Sequence, residues 1–264
     1  MQVFVPAYYY AQQGADPTID HPGTTFGGWN ETQVPFETDK TAIVVMHVWD
    51  APPTAALLQH IEYIPRANAI IERRFPSFIR AARASSVRVI HVAAGFESVL
   101  KSYPGYQRML EKYPLIPQPA IEPSKELLAL RDLHYRLTGA DTQEKYDELE
   151  AGYENYTFAI EPLDEEDVVC APHQLFGLCR DHGIEHLIYT GFAVNACLSL
   201  SPCGLLDMSR CGVMCSVVGD LTTGVENKET CVAQSNRDYG LWQFAVQSGF
   251  VLLSEALKNT LLAN

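Results

Sequence analysis

The chain has 264 residues, 47% of them hydrophobic and 19% charged, which is the balance of a globular chain with a sizeable core and excludes a disordered one. Its 32 acidic residues against 19 basic ones give a formal net charge of -13, a surface that repels phosphate backbones and anionic lipid, so neither nucleic acid nor a membrane is an expected partner. No apolar run is long enough to span a bilayer, and MQVFVPAYYYAQQ lacks a basic segment followed by a long apolar stretch, so the expectation is a cytoplasmic protein.

Residues 1–40 are rich in Tyr, Gly, Pro and polar side chains with little periodicity. They read as an N-terminal extended arm, either wrapping the domain or a neighbouring subunit, or partly ordered. The α/β domain follows at 41–264. Ala42–Val48 (AIVVMHV) is a nearly continuous apolar run, as expected of a strand buried on both faces. Ile64, Ala67, Ile71, Phe78 and Ala82 share one helix face, with Pro76 kinking or splitting the helix. Val87–Ala93 is the next strand.

The stretch from about 97 to 160 is an irregular, partly helical insertion, broken by Pro104, Pro114, Pro117, Pro119 and Pro123. Ser124 is positioned to cap a helix through Leu127, Leu128, Leu130 and Leu133, and Asp141 with Glu144 has capping-box spacing. Alternation then resumes. Asp167–Cys170 is a strand, Gln174–His182 a helix stopped by Gly183, His186–Gly191 a strand and Cys197–Arg210 a helix. Val213–Gly219 is a strand, Asn227–Ser248 mostly helix, Phe250–Leu253 a last strand, and Ser254 caps a last helix. About six strands interleaved with helices predict a three-layer α/β/α sandwich around a mostly parallel sheet, with ligands bound beyond the strands' C-terminal ends.

The seven cysteines, Cys170, Cys179, Cys197, Cys203, Cys211, Cys215 and Cys231, are odd in number and lie in the C-terminal part of a large domain. That is no disulfide framework and fits reduced thiols. There is no CxxC pair, no HExxH and no phosphate-binding glycine loop, so neither a metal nor a cofactor is expected, and no GxGxxG supports a nucleotide binder. Cys197 is the residue with most chemical potential. In LIYTGFAVNACLSL a buried strand ends at Thr190-Gly191, a tight loop follows, and the thiol stands where a helix begins. The helix dipole and unpaired N–H groups there favour a thiolate and could stabilise an oxyanion. A buried structural cysteine is the other reading of the same pattern.

TGFAVNACLSL resembles the TG-x-AT-N-x-CV segment of the isochorismatase-like cysteine hydrolases, which include nicotinamidases and carbamoylsarcosine amidases. Gly183-Ile184 resembles that family's RGI step, and Asp207 falls where an acidic residue is frequent. VMCSVVGDLTTGVE resembles the segment carrying Asp220 and Glu226, and FVLLSEALKN the closing strand and helix. The likeness spans roughly 41–95 and 160–264. It implies a Cys nucleophile at Cys197, an acyl intermediate and an oxyanion hole of loop N–H groups (Ala193, Val194, Ala196) near a cis peptide at Phe192-Ala193-Val194.

The family's Asp and Lys are not where the resemblance puts them. Ungapped alignment of AIVVMHVWD sets Met46 at the Asp position, with His47 next and Asp50 four further on. His47 or Asp50 is the candidate base. Strand alternation turns His47 away from Met46's face unless a bulge or slip intervenes, and a hydrogen-bonded strand-end residue is its plainer reading. No Lys occurs between Lys145 and Lys228, and His173 is the only basic side chain near the missing position. Trp49, Glu97, His173 and Phe192 are candidate pocket residues; Trp29 belongs with them only as an apolar liner. His91 reads as a satisfied core histidine and Asp220 as a polar strand-end anchor.

The expected function is a cysteine-dependent hydrolase of a small amide, imide or related carbonyl substrate. A catalytically impaired relative that binds a metabolite or a protein is the alternative. The resemblance and the arm together suggest a homo-oligomer, dimer or tetramer.

Overall fold

The structure is a computed structural model that describes residues 2–48, 62–93, 100–117, 119–135, Glu144 and 160–263. Its strands are β1 (Gln2–Ala11), β2 (Gly28–Glu37), β3 (Thr41–Met46), β4 (Arg88–Val92), β5 (Asp167–Val169), β6 (His186–Gly191), β7 (Met214–Val218) and β8 (Val251–Leu252). They form one eight-stranded sheet in the order β2-β1-β8-β7-β6-β3-β4-β5. The six strands from β3 to β8 are parallel and are the six that the βα alternation predicts.

The other two strands lie within residues 1–40, the stretch expected as an extended arm. β1 and β2 pair antiparallel from Gln2↔Glu37 to Ala11↔Gly28, and β1 joins β8 through Ala7↔Leu252 and Tyr8↔Val251. Val3, Val5, Ala7, Val34 and Phe36 are buried on one face while Gln2, Phe4 and Pro6 stay exposed, a half-buried strand pattern. The arm is therefore the edge of this chain's own sheet.

The helices are α1 (Tyr63–Arg73), α2 (Phe75–Ala84), α3 (Pro104–Lys112), α4 (Lys125–Tyr135), α5 (Pro172–His182), α6 (Cys197–Leu200), α7 (Leu205–Arg210), α8 (Ser235–Gln247) and α9 (Ser254–Leu262). Pro76 splits rather than kinks: α1 ends before Arg74, and the proline takes the first turn of α2, where its missing N–H costs nothing. Leu127 N–H donates to Ser124 Oγ at 3.3 Å, the cap expected for α4. Gly183 ends α5 in the left-handed conformation, with φ 66°. The capping pair predicted at Asp141 and Glu144 lies outside the described residues except for Glu144.

Alternation along β3 divides the core. Ile43 and Val45 face Ala67, Ile71, Phe75 and Phe78 of α1 and α2 and Leu257 and Leu261 of α9. Ala42, Val44 and Met46 face Leu175 and Leu178 of α5, Leu198 of α6, Leu205 and Met208 of α7, and Leu241 and Phe244 of α8. Both faces are covered, which gives the predicted three layers. Each fully buried Leu or Phe contributes roughly 1.5–3 kcal/mol of transfer free energy to them. Among the described residues, no helix is long and apolar enough to cross a membrane.

Candidate active site

The chain moves outward from β3 to β4 and β5, then returns to place β6 on β3's other side. The strand order reverses between β3 and β6, and in open parallel sheets the crevice beyond such a reversal is where ligands bind. The last residue pair of that junction is Met46↔Gly191. Gly191 has φ 108°, and a Cβ there would stand 1.9 Å from the Met46 carbonyl oxygen, so only glycine lets β6 turn into its loop at this point.

The loop is fastened to its surroundings by backbone bonds. Phe192 N–H donates to Met46 O, Gly191 N–H to Leu221 O and Val194 N–H to Thr223 O, each at 3.0 Å. Asn195 clamps the neighbouring loop: its Nδ2 donates to Val225 O and its Oδ1 accepts from Val225 N–H, both at 2.9 Å. The Phe192-Ala193 peptide bond is cis. Glu226 accepts from Asn236 and Arg237 N–H at the start of α8, satisfying donors that a helix N-terminus leaves open. Gly240 brings α8 so close that a Cβ there would meet Asn195 N at 2.9 Å.

Cys197 opens α6 and is half-buried. The single helix predicted for Cys197–Arg210 is two short ones, because Pro202 cannot continue α6 and Cys203 takes φ 71°. A four-residue helix carries a smaller macrodipole than the fourteen-residue helix expected at Cys197–Arg210. Of the three amides expected to form an oxyanion hole, Val194 donates to Thr223 O and Ala196 to Ala193 O. Among the described residues, the N–H groups of Ala193 and Cys197 have no such acceptor.

Met46 is fully buried, and Cys197 packs against the same apolar cluster that contains it. β3 stops there. His47 takes φ 53° and is 8% exposed, so strand alternation no longer assigns its face. Asp50, Trp49 and Glu97 lie outside the described residues. His173 stands at the start of α5 beside β5, with Nε2 2.9 Å from the Pro114 carbonyl. Phe192 is only 2% exposed and packs against Tyr63 and Phe75, in the core rather than open to a ligand. Trp29 is an exposed residue of the β1–β2 hairpin, edge-on to Tyr10 at 5.4 Å.

Several other thiols are chemically quiet. Burial pushes Cys179 and Cys215 up to about 12, and pushes Cys203 up as well. Cys211 is exposed and Cys231 half-buried. Away from the loop, His91 in β4 is wholly buried in the core, with Nε2 2.8 Å from Glu166 Oε2. Burial lowers the His91 pKa and keeps the ring neutral. Burial alone would raise Glu166, but hydrogen bonds from Arg83 and His91 outweigh it and hold the carboxyl at about 2. Asp220 accepts from Ser254 N–H and Oγ and pairs with Arg74, the anchor at the end of β7 that its position suggests. Among the described residues, no group of three or more His, Cys, Asp or Glu is placed to hold a metal ion.

Neither protein-family models nor curated protein sequences match the chain. Solved structures do. A cysteine hydrolase from Pseudomonas syringae pv. phaseolicola superposes with TM-score 0.52 at 16% identity, over 87% of this chain and 96% of that one. An isochorismatase family protein from Burkholderia thailandensis gives TM-score 0.49 at 14% identity, over 88% and 100%. The fold is isochorismatase-like, as the TGFAVNACLSL resemblance implies.

Proposed function

We propose that this chain is a cysteine-dependent hydrolase of a small amide, imide or related carbonyl compound, working through an acyl thioester on Cys197. One observation carries the reading: a half-buried thiol on a tightly fastened loop at the strand-order reversal, beside two amides without an acceptor among the described residues.

In this reading the Cys197 sulfur attacks the carbonyl carbon while its proton passes to a base. The carbonyl oxygen becomes an oxyanion facing the N–H groups of Ala193 and Cys197. The C–N bond then breaks, the nitrogen leaves with a proton, and the acyl group remains on sulfur. Water, giving its proton to the same base, attacks the thioester, releases a carboxylic acid and restores the thiol. His47 is the base this reading favours, with Asp50 the second candidate. A non-glycine residue in the left-handed region, as His47 is, costs of order 1 kcal/mol and recurs at active sites. The protein acts on a small molecule and works as a homo-oligomer.

The test is chemical and kinetic. Cys197 should alkylate faster than exposed Cys211, and Cys197→Ala should abolish release of ammonia or amine from whichever compound in an amide and imide panel is turned over. Equal alkylation rates with a fully active variant would sink the reading.

A further inference from the structure

Arg66 lies on α1 and is not used by the mechanism above. The first turn of α1 rests against the cysteine loop, with the Tyr63 ring edge-on to Phe192 at 6.5 Å between centroids. The Arg66 guanidinium reaches the neighbouring loop, where Nη2 donates to Gly224 O at 3.4 Å. Gly224 precedes Val225, the residue clamped by Asn195, which stands two positions before Cys197. A positive charge therefore bonds to the loop that Asn195 fastens to the cysteine loop, one residue before the clamped Val225.

Its bonding is poor for a group so enclosed. The side chain is 24% exposed, its contact with Glu62 Oε2 is also 3.4 Å, and Nε is buried with no acceptor among the described residues. A guanidinium has five donors in a planar fork, and burying one unsatisfied is unfavourable. Both existing contacts are long and weak, so a better acceptor would displace them with little loss. The acceptor that matches the fork is a carboxylate, bound through two parallel N–H···O bonds. In a chain of net charge -13, such a cation also gives an anionic substrate a local attraction that the surface as a whole denies it.

We propose that Arg66 anchors a carboxylate of the substrate, which narrows the substrate class to small amides, imides or related carbonyl compounds that also bear a carboxylate. The proposal rests on Cys197 being the nucleophile. Its occupant displaces Glu62, whose half-exposed carboxylate is the present neighbour of Nη1.

Two alkylating probes of nearly equal shape, iodoacetate and iodoacetamide, test this on the full chain, with each cysteine read by peptide mass spectrometry. At Cys197 the iodoacetate-to-iodoacetamide rate ratio should exceed that at exposed Cys211 by about tenfold, the scale of a charge-assisted bidentate contact. Arg66→Gln should lower it to the Cys211 value while leaving the iodoacetamide rate unchanged, which also reports an intact fold. Arg66→Lys, keeping the charge but not the fork, should recover part of it. Glu62→Gln, which removes the competing carboxylate and leaves Arg66 in place, should raise it. An unchanged ratio in Arg66→Gln, or in Glu62→Gln if the first variant fails to fold, overturns the anchor. A Cys197 no faster than Cys211 toward iodoacetamide, with the ratio still dependent on Arg66, overturns the nucleophile reading instead. A Cys197 that reacts with neither reagent overturns both.

Discussion

Glu166→Gln isolates one charge in a nearly isosteric swap. Arg83 Nε and Nη2 each lie 2.8 Å from a Glu166 carboxylate oxygen, and Leu163 N–H and His91 Nε2 converge on Oε2 at 3.0 and 2.8 Å. The carboxyl falls from its ordinary 4.5 to about 2. At about 1.4 kcal/mol per tenfold change in proton affinity, the ionised form contributes about 3 kcal/mol. Solvent reaching this edge of the sheet trims that to about 2 kcal/mol. Because the folded-state value is depressed, the contribution is complete above 4.5 and drains away as pH falls toward 2. Urea unfolding of wild type and Glu166→Gln should therefore differ by about 2 kcal/mol at pH 7 and by under about 1 kcal/mol at pH 3. A difference that is negligible at pH 7, or equal at the two pH values, would refute the assignment of the stabilisation to an ionised Glu166.

Two other perturbations bear on the cysteine loop. Gly191→Ala forces a Cβ to within 1.9 Å of Met46 O and should cost more than about 4 kcal/mol or prevent folding, whereas Gly183→Ala, with φ 66° and nothing within 4 Å, should cost only about 1 kcal/mol in thermal unfolding. Similar losses would mean that backbone conformation alone, not close approach to β3, demands Gly191. Asn195→Ala removes both bonds to Val225 and should cost about 2 kcal/mol by denaturant unfolding while narrowing the alkylation-rate gap between Cys197 and Cys211. An unchanged gap would show that the clamp does not position the thiol.

The parallel core was legible because strands buried on both faces read as apolar runs, and β3 to β8 fall within a residue or two of where those runs lie. The β1–β2 hairpin was not. Its inward set, Val3, Val5, Ala7, Val34 and Phe36, alternates correctly, but the tyrosines, prolines and glycines between them mask the period. The break after α6 is carried by Ser201-Pro202-Cys203-Gly204, turn-forming residues inside the stretch expected as one helix. The clamp between Asn195 and Val225 joins residues 30 apart and leaves no local pattern. Arg66 has the same difficulty: its bond to Gly224 spans 158 residues and leaves no local pattern either.

The thiol's position and its activation have different physical bases. Position comes from main-chain contacts: Gly191 against the Met46 carbonyl, Phe192 N–H on the same oxygen, Val194 on Thr223. None of these depends on which side chain stands at 46. That side chain is fully buried in the apolar cluster that also holds Val194, Leu198 and Cys203, where a methionine fills space and a carboxylate would have to be desolvated among apolar neighbours. With Met46 there, the proposed mechanism takes its base from beyond the strand end. His47 is the first residue past β3, and its left-handed backbone is what frees its ring from the alternation that would otherwise turn it to the opposite face from Met46. The same backbone that keeps Cys197 in place thus sets His47, the base proposed above, one residue past Met46 and outside the strand's alternation.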